Sequence, residues 1–135
     1  MKKVGIISPS NNVLSYFPNR TETGIENLKQ IGLNPVFSKK AIRENNYTKN
    51  SVLERVEEIN KIIKEDVDLI IASIGGYLSV QLLNFIDYEM IKKKHITFCG
   101  SSDITALLLA IYVKTKVIML YGPTYTVNLC DYGGI

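Results

Sequence analysis

The sequence predicts an α/β domain, a mostly parallel sheet flanked by helices in a three-layer arrangement of the flavodoxin or Rossmann kind. Three observations carry that expectation. Short β-branched runs recur along the chain, each stopped by glycine, proline or serine. Longer stretches lie between them, with apolar residues returning every three or four positions. The two patterns alternate, as parallel strands require, because each crossover needs a helix-length connection. At 135 residues, 46% hydrophobic and 21% charged, the chain has the size and make-up of one globular domain.

The elements follow in order. Residues 4–7 (Val-Gly-Ile-Ile) read as a buried strand that Ser8-Pro9 ends. A helix is expected over residues 21–30, with Ile25, Leu28 and Ile31 on one face and Gly32 at its C-cap. Pro35-Val36-Phe37 reads as a second strand near a sheet edge, because proline cannot donate to the ladder. Residues 38–50 are polar and aperiodic, hence a loop, and Ser51 with Glu54 forms a capping box for the next helix. In that helix Val52, Val56, Ile59 and Ile63 make one buried stripe. Residues 68–72 are the third strand, broken by Gly75-Gly76 before a short helix with Val80, Leu82 and Leu83. Residues 96–99 are the fourth strand, 104–112 an apolar helix, and 117–120 the fifth strand, ended by Gly122-Pro123. Beyond it Tyr125, Val127, Leu129 and Tyr132 show no period, which reads as a cut through a longer protein.

The composition excludes several function classes. A net charge of +3 is mild, and its one dense cluster, Lys92-Lys93-Lys94, reads as a solvated loop, so no nucleic-acid partner is expected. No run approaches the ~18 apolar residues of a membrane span, and the N-terminus lacks the apolar core of a signal peptide. A cytoplasmic protein without a membrane partner is the expectation. Cys99 and Cys130 lack metal-ligand spacing, so no metal is expected, although one disulfide is possible. The first loop, Ser8-Pro9-Ser10-Asn11-Asn12, lacks a glycine-rich phosphate fingerprint, which argues against a nucleotide cofactor; none is expected.

Ligands of open parallel sheets bind beyond the carboxyl ends of the strands. Three loops should meet there: residues 8–12, residues 73–77 (Ser-Ile-Gly-Gly-Tyr), and residues 100–103 (Gly-Ser-Ser-Asp). The last is a strand, a tight turn with serine, and a helix, which is the setting of a nucleophile elbow. Ser and Asp before an apolar helix are equally what N-capping demands, and both readings stand. Gly75-Gly76 could simply permit a turn, or could let a substrate carbonyl approach backbone N–H donors. A nucleophilic serine needs a base. The only histidine, His95, lies at the opposite end of the strand that delivers Ser102, roughly 15 Å or more away at ~3.3 Å per residue. Asp103 points away from its neighbour, and Lys114 and Lys116 lie at the far end of the following helix. No Ser-His-acid triad can assemble within the chain.

Taken together, Ile74-Gly75-Gly76-Tyr77, residues 82–88, residues 100–109 and Tyr121-Gly122-Pro123 resemble the LD-carboxypeptidases, and more closely their microcin C immunity branch. The opening residues 4–10 fit the family's first strand and loop, so the resemblance spans nearly the whole chain. It implies a two-domain serine carboxypeptidase, with residues 1–135 as the N-terminal, nucleophile-bearing domain. Ser102 would be the nucleophile, and backbone N–H groups of Asp103 and Gly76 the oxyanion donors. Gly75, Tyr77, Ser101 and Pro9 would line the substrate site. A C-terminal domain absent from this chain would bring the glutamate and histidine, leaving the chain alone inactive. The substrate would carry a C-terminal amide, in a cell-wall tetrapeptide or a peptidyl-nucleotide antibiotic. Three positions depart from the family pattern: Ile74 replaces the arginine of the cell-wall branch, Ser101 a tyrosine or asparagine, and Leu78 an asparagine. These bear on substrate identity more than on reaction class. A homodimer is also expected, since a domain without its partner exposes apolar surface. The competing reading is a non-catalytic or degenerate ligand-binding domain that uses the same three loops.

Overall fold

The computed structural model describes residues 1–38 and 52–131. Five parallel strands form one sheet: β1 (Lys2–Ile7), β2 (Leu33–Phe37), β3 (Leu69–Ala72), β4 (Thr97–Gly100) and β5 (Leu120–Tyr121). Their spatial order is β2-β1-β3-β4-β5, the flavodoxin-type winding. The helices are α1 (Pro18–Gln30), α2 (Val52–Lys64), α3 (Tyr88–Lys94) and α4 (Ile104–Thr115). The parallel α/β class expected from the alternating pattern is therefore the observed one.

Strand alternation sorts the core into two layers. Ile7, Ile70, Ala72 and Phe98 face α2, α3 and α4, whose Ile59, Ile63, Ile91, Leu107 and Ile111 are buried against them. Val4, Ile6, Ile71 and Cys99 face the other way, onto Leu14, Leu28, Tyr125 and Leu129. Both sheet faces are covered, which is why the strands read as continuous apolar runs. β2 sits at an edge, as Pro35 demands, with Pro35 paired opposite Val4.

The structure revises several expectations. α1 starts three residues earlier than its apolar period, with Pro18 in its first turn, a position where a missing N–H costs nothing. The lysine run is no loop: Lys92, Lys93 and Lys94 form the last turn of α3, where cations suit the helix C-terminus. Lys94 Nζ donates to the carbonyls of Ile63 (2.9 Å) and Glu65. Only Ile91 of the seven α3 residues is fully buried, too few to show a period, and the helix is announced instead by Asp87, whose carboxylate caps Met90 N–H at 3.0 Å. β5 shifts later, to Leu120–Tyr121, because Lys116 turns left-handed at the end of α4 and pairing begins only at Cys99 with Leu120. Residues 124–131 fold back onto α1 rather than trailing off, and Tyr125–Leu129 form a π-helical turn. Tyr125 is fully buried there, and its hydroxyl donates to the carbonyl of Thr21 at 2.6 Å. The Ser51 cap, the 38–50 loop beyond Ser38, and Tyr132 lie outside the described residues.

Candidate functional site

In this strand order the winding reverses between β1 and β3, and the crevice beyond their carboxyl ends is where such sheets bind ligands. A cavity of about 540 Å3 opens there, lined by Asn11, Ile74, Gly75, Gly76, Tyr77, Ser101, Ser102, Thr124, Val127 and Asn128. Four loops therefore meet, three of them expected from the sequence.

Serines lace these loops together. Ser8 and Ser73 hydroxyls pair at 2.8 Å, joining the loops after β1 and β3. The buried Ser10 Oγ accepts from the N–H groups of Tyr77 and Leu78, each at 2.9 Å. Ser79, in a 3-10 turn over Ser79–Leu82, donates its hydroxyl to the Asp103 carbonyl at 2.7 Å. Its N–H donates to the Asp103 carboxylate at 3.0 Å. The Thr126 N–H donates to the Ser73 carbonyl at 2.8 Å, attaching the fourth loop.

Ser102 is exposed at the turn between β4 and α4, with φ of 56°. Among the described residues two other non-glycine residues share the left-handed region, His95 and Lys116, and both sit at helix C-termini, where that conformation is the ordinary cap. Ser102 stands instead at a helix start, where capping calls for no left-handed residue. Asp103 occupies the N-cap position without any side-chain capping bond, its carboxylate being turned to Ser79. The turn is thus held as an elbow, and strain of this kind gathers at functional sites.

Gly75 lies against that elbow: a Cβ there would stand 3.3 Å from Ser102 Cβ and 3.7 Å from the Asp103 nitrogen. Gly76 has φ of +146°, and a Cβ on it would meet Ser10 Oγ at 2.4 Å and Asn11 Nδ2 at 2.6 Å. Among the described residues, the Gly76 and Asp103 N–H groups make no hydrogen bond to protein. Both belong to the segments that approach Ser102, one of them at the N-terminus of a 12-residue helix, where the dipole favours negative charge.

The other sequence-derived positions separate. Gly75, Tyr77 and Ser101 line the cavity, Tyr77 being 89% exposed. Pro9 does not; it is buried behind the loop, with its carbonyl turned to Arg55. His95 is exposed and precedes β4, whereas Ser102 follows it, so the two occupy opposite ends of the strand. Cys99 and Cys130 are buried free thiols, not a disulfide. No group of His, Cys, Asp and Glu that could hold a metal exists among the described residues.

Two contributions escaped the sequence. Thr124, Val127 and Asn128 form one cavity wall, and Gly122-Pro123 at the end of a parallel strand was the available signal. Arg55, only 5% exposed, lies beneath the loops and bonds to Pro9, Leu78 and Gln81. Burial lowers its pKa from the ordinary arginine value, and the nearby Asp103 charge opposes that shift. A cation one position off an apolar stripe was its only mark.

The family model described as the LD-carboxypeptidase N-terminal domain matches residues 4–122. The chain belongs to that family. A Vibrio cholerae relative named as a candidate carboxypeptidase is 36% identical over 131 residues, covering 96% of this chain and 39% of that protein. The microcin C7 self-immunity protein MccF of Escherichia coli is 36% identical over 121 residues, covering 89% of this chain and 35% of that protein. A solved structure of MccF in complex with glutamyl sulfamoyl guanosine superposes with a TM-score of 0.89 at 32% identity, over 97% of this chain and 39% of that one. This LD-carboxypeptidase-family chain thus spans 35–39% of the length of these relatives. No helix among the described residues is long and apolar enough to cross a membrane.

Proposed function

We propose that this chain is the nucleophile-bearing part of a serine carboxypeptidase that hydrolyses a C-terminal amide. The observation that carries the reading is Ser102, exposed in a left-handed elbow at the start of α4 and faced by Gly75-Gly76. In the reaction, Ser102 Oγ attacks the amide carbonyl carbon while a base takes the hydroxyl proton. The carbonyl oxygen gathers negative charge and receives the N–H groups of Gly76 and Asp103. The proton passes to the departing amine as the C–N bond breaks, and water then releases the acyl group from Ser102.

His95 is remote from Ser102, so a second domain would supply the histidine and glutamate, and the 135 residues alone would be inactive. The substrate we favour is a peptidyl-nucleotide of the microcin C kind, acted on in the cytoplasm, with the L,D-bond of a muropeptide as the alternative. Likeness to MccF supports the first, as does Ile74, which offers no charge to a substrate carboxylate. Tyr77, Ser101 and Gly75 would contact that substrate. Homodimer formation would cover the exposed Leu109 and Val113 on α4, Ile118 in the connection after it, and Tyr121 on β5.

The test uses the full-length protein, a fluorophosphonate probe and a peptidyl-sulfamoyl-adenosine substrate. Wild type should be labelled and should release the peptide acid and sulfamoyl adenosine, and Ser102→Ala should lose both, by about 10^4-fold or more in kcat. Activity of Ser102→Ala within tenfold of wild type would remove Ser102 as the nucleophile. A wild-type protein that binds the nucleotide without labelling or turnover would support the non-catalytic reading.

A further inference from the structure

Arg55 is an expensive residue to bury, since a guanidinium in a desolvated place must find acceptors for its donors. It projects from the first turn of α2, where a plain apolar side chain would continue the stripe begun by Val52 and Val56. Its Nη1 donates to the Pro9 carbonyl at 2.7 Å and the Leu78 carbonyl at 3.2 Å, and its Nη2 donates to Gln81 Oε1 at 2.6 Å. Pro9 belongs to the loop after β1 and Leu78 to the loop after β3. One planar fork therefore spans the two loops whose junction is the switch point of the sheet.

The connection continues to the elbow. Leu78 and Gln81 flank Ser79, whose N–H and hydroxyl are both bonded to Asp103, the neighbour of Ser102. Pro9 adjoins Ser10, whose hydroxyl fixes the N–H groups of Tyr77 and Leu78 beside Gly76. We infer that Arg55 is a positioning residue for the hydrolytic site, setting the distance between the Gly76 donor and the Ser102 elbow from beneath. It touches neither substrate nor the reacting atoms. The inference rests on the reading of Ser102 as nucleophile. It predicts a role that charge alone cannot fill, because Nη1 holds the Pro9 and Leu78 carbonyls while Nη2 reaches separately to Gln81, and a lysine ammonium, one nitrogen on a shorter reach, cannot serve both positions of the fork.

The experiment compares Arg55→Lys and Arg55→Met with wild type in the full-length protein. It reads the rate of labelling by a fluorophosphonate probe together with the melting temperature. A misplacement of about 1 Å in such a site costs on the order of 100-fold, so Arg55→Met should label about 100-fold more slowly and Arg55→Lys at least about tenfold more slowly. With an amide substrate the loss should fall on kcat rather than KM. If Arg55→Met does not fold, Arg55→Lys alone decides. Labelling within twofold of wild type in the variants that fold, even with a lowered melting temperature, would reduce Arg55 to a purely structural role and overturn the inference. A wild-type protein that never labels would instead overturn the nucleophile assignment, so the two failures are distinguishable.

Discussion

Replacing Gly76 by alanine tests the cavity floor more severely than any other single change. An L-residue at φ of +146° occupies a region reserved for glycine, at a cost of about 1–3 kcal/mol. The new methyl would also stand 2.4 Å from Ser10 Oγ and 2.6 Å from Asn11 Nδ2. Ser10 can rotate away only by releasing the Tyr77 and Leu78 N–H groups, two hydrogen bonds worth about 1 kcal/mol each. The total is about 3–5 kcal/mol, a large part of the ~5–15 kcal/mol that holds a domain folded. Urea unfolding followed by circular dichroism measures it. Pairing with Ser10→Gly sharpens the test: with the hydroxyl gone, the cost of Gly76→Ala should fall by about 1 kcal/mol or more. A single-variant cost below about 1 kcal/mol, or strict additivity in the pair, would refute the packing argument.

Two further outcomes follow from geometry already described. Ser102→Gly should raise stability by about 1 kcal/mol, since glycine carries no left-handed penalty, while abolishing fluorophosphonate labelling; an unchanged melting temperature would count against a strained elbow. Burial pushes the Cys130 thiol up to about 11 from 9.0, so its neutral form is favoured in the fold. Its contribution to stability should be intact below pH 9 and lost as pH rises toward 11; a Cys130→Ser variant showing the same alkaline loss as wild type would exclude Cys130 as its source.

The strands were legible because both sheet faces are covered, leaving nearly uninterrupted β-branched runs such as Ile70-Ile71. The Gly-Gly-Tyr and Gly-Ser-Ser-Asp loops could be found because topology sends every parallel strand end to one edge. α3 was hidden by its length, which leaves only its two ends as signals, Asp87 at the start and the lysine run that was read as a loop. The 124–131 segment was hidden for another reason. Its order comes from contacts with α1, about a hundred positions earlier, and a local pattern carries no trace of those. Arg55 escaped for the same cause: a surface arginine and a buried one look alike until the carbonyls of Pro9 and Leu78 converge on it.

The π-helical turn has a practical meaning for anyone trimming this protein. Its roots lie on the face of the sheet away from α2 and α4. There Arg20 bonds to Asp131 and to the Thr126 carbonyl, and Asn27 donates to the Leu129 and Asp131 carbonyls. Its outer residues, Val127 and Asn128, nevertheless wall the cavity. A version ending at residue 122, where the family match stops, would strip the cover from Leu28 and open one side of the crevice. Asp131 is therefore the earliest stop codon neighbour that keeps both the α1 layer and the cavity wall whole.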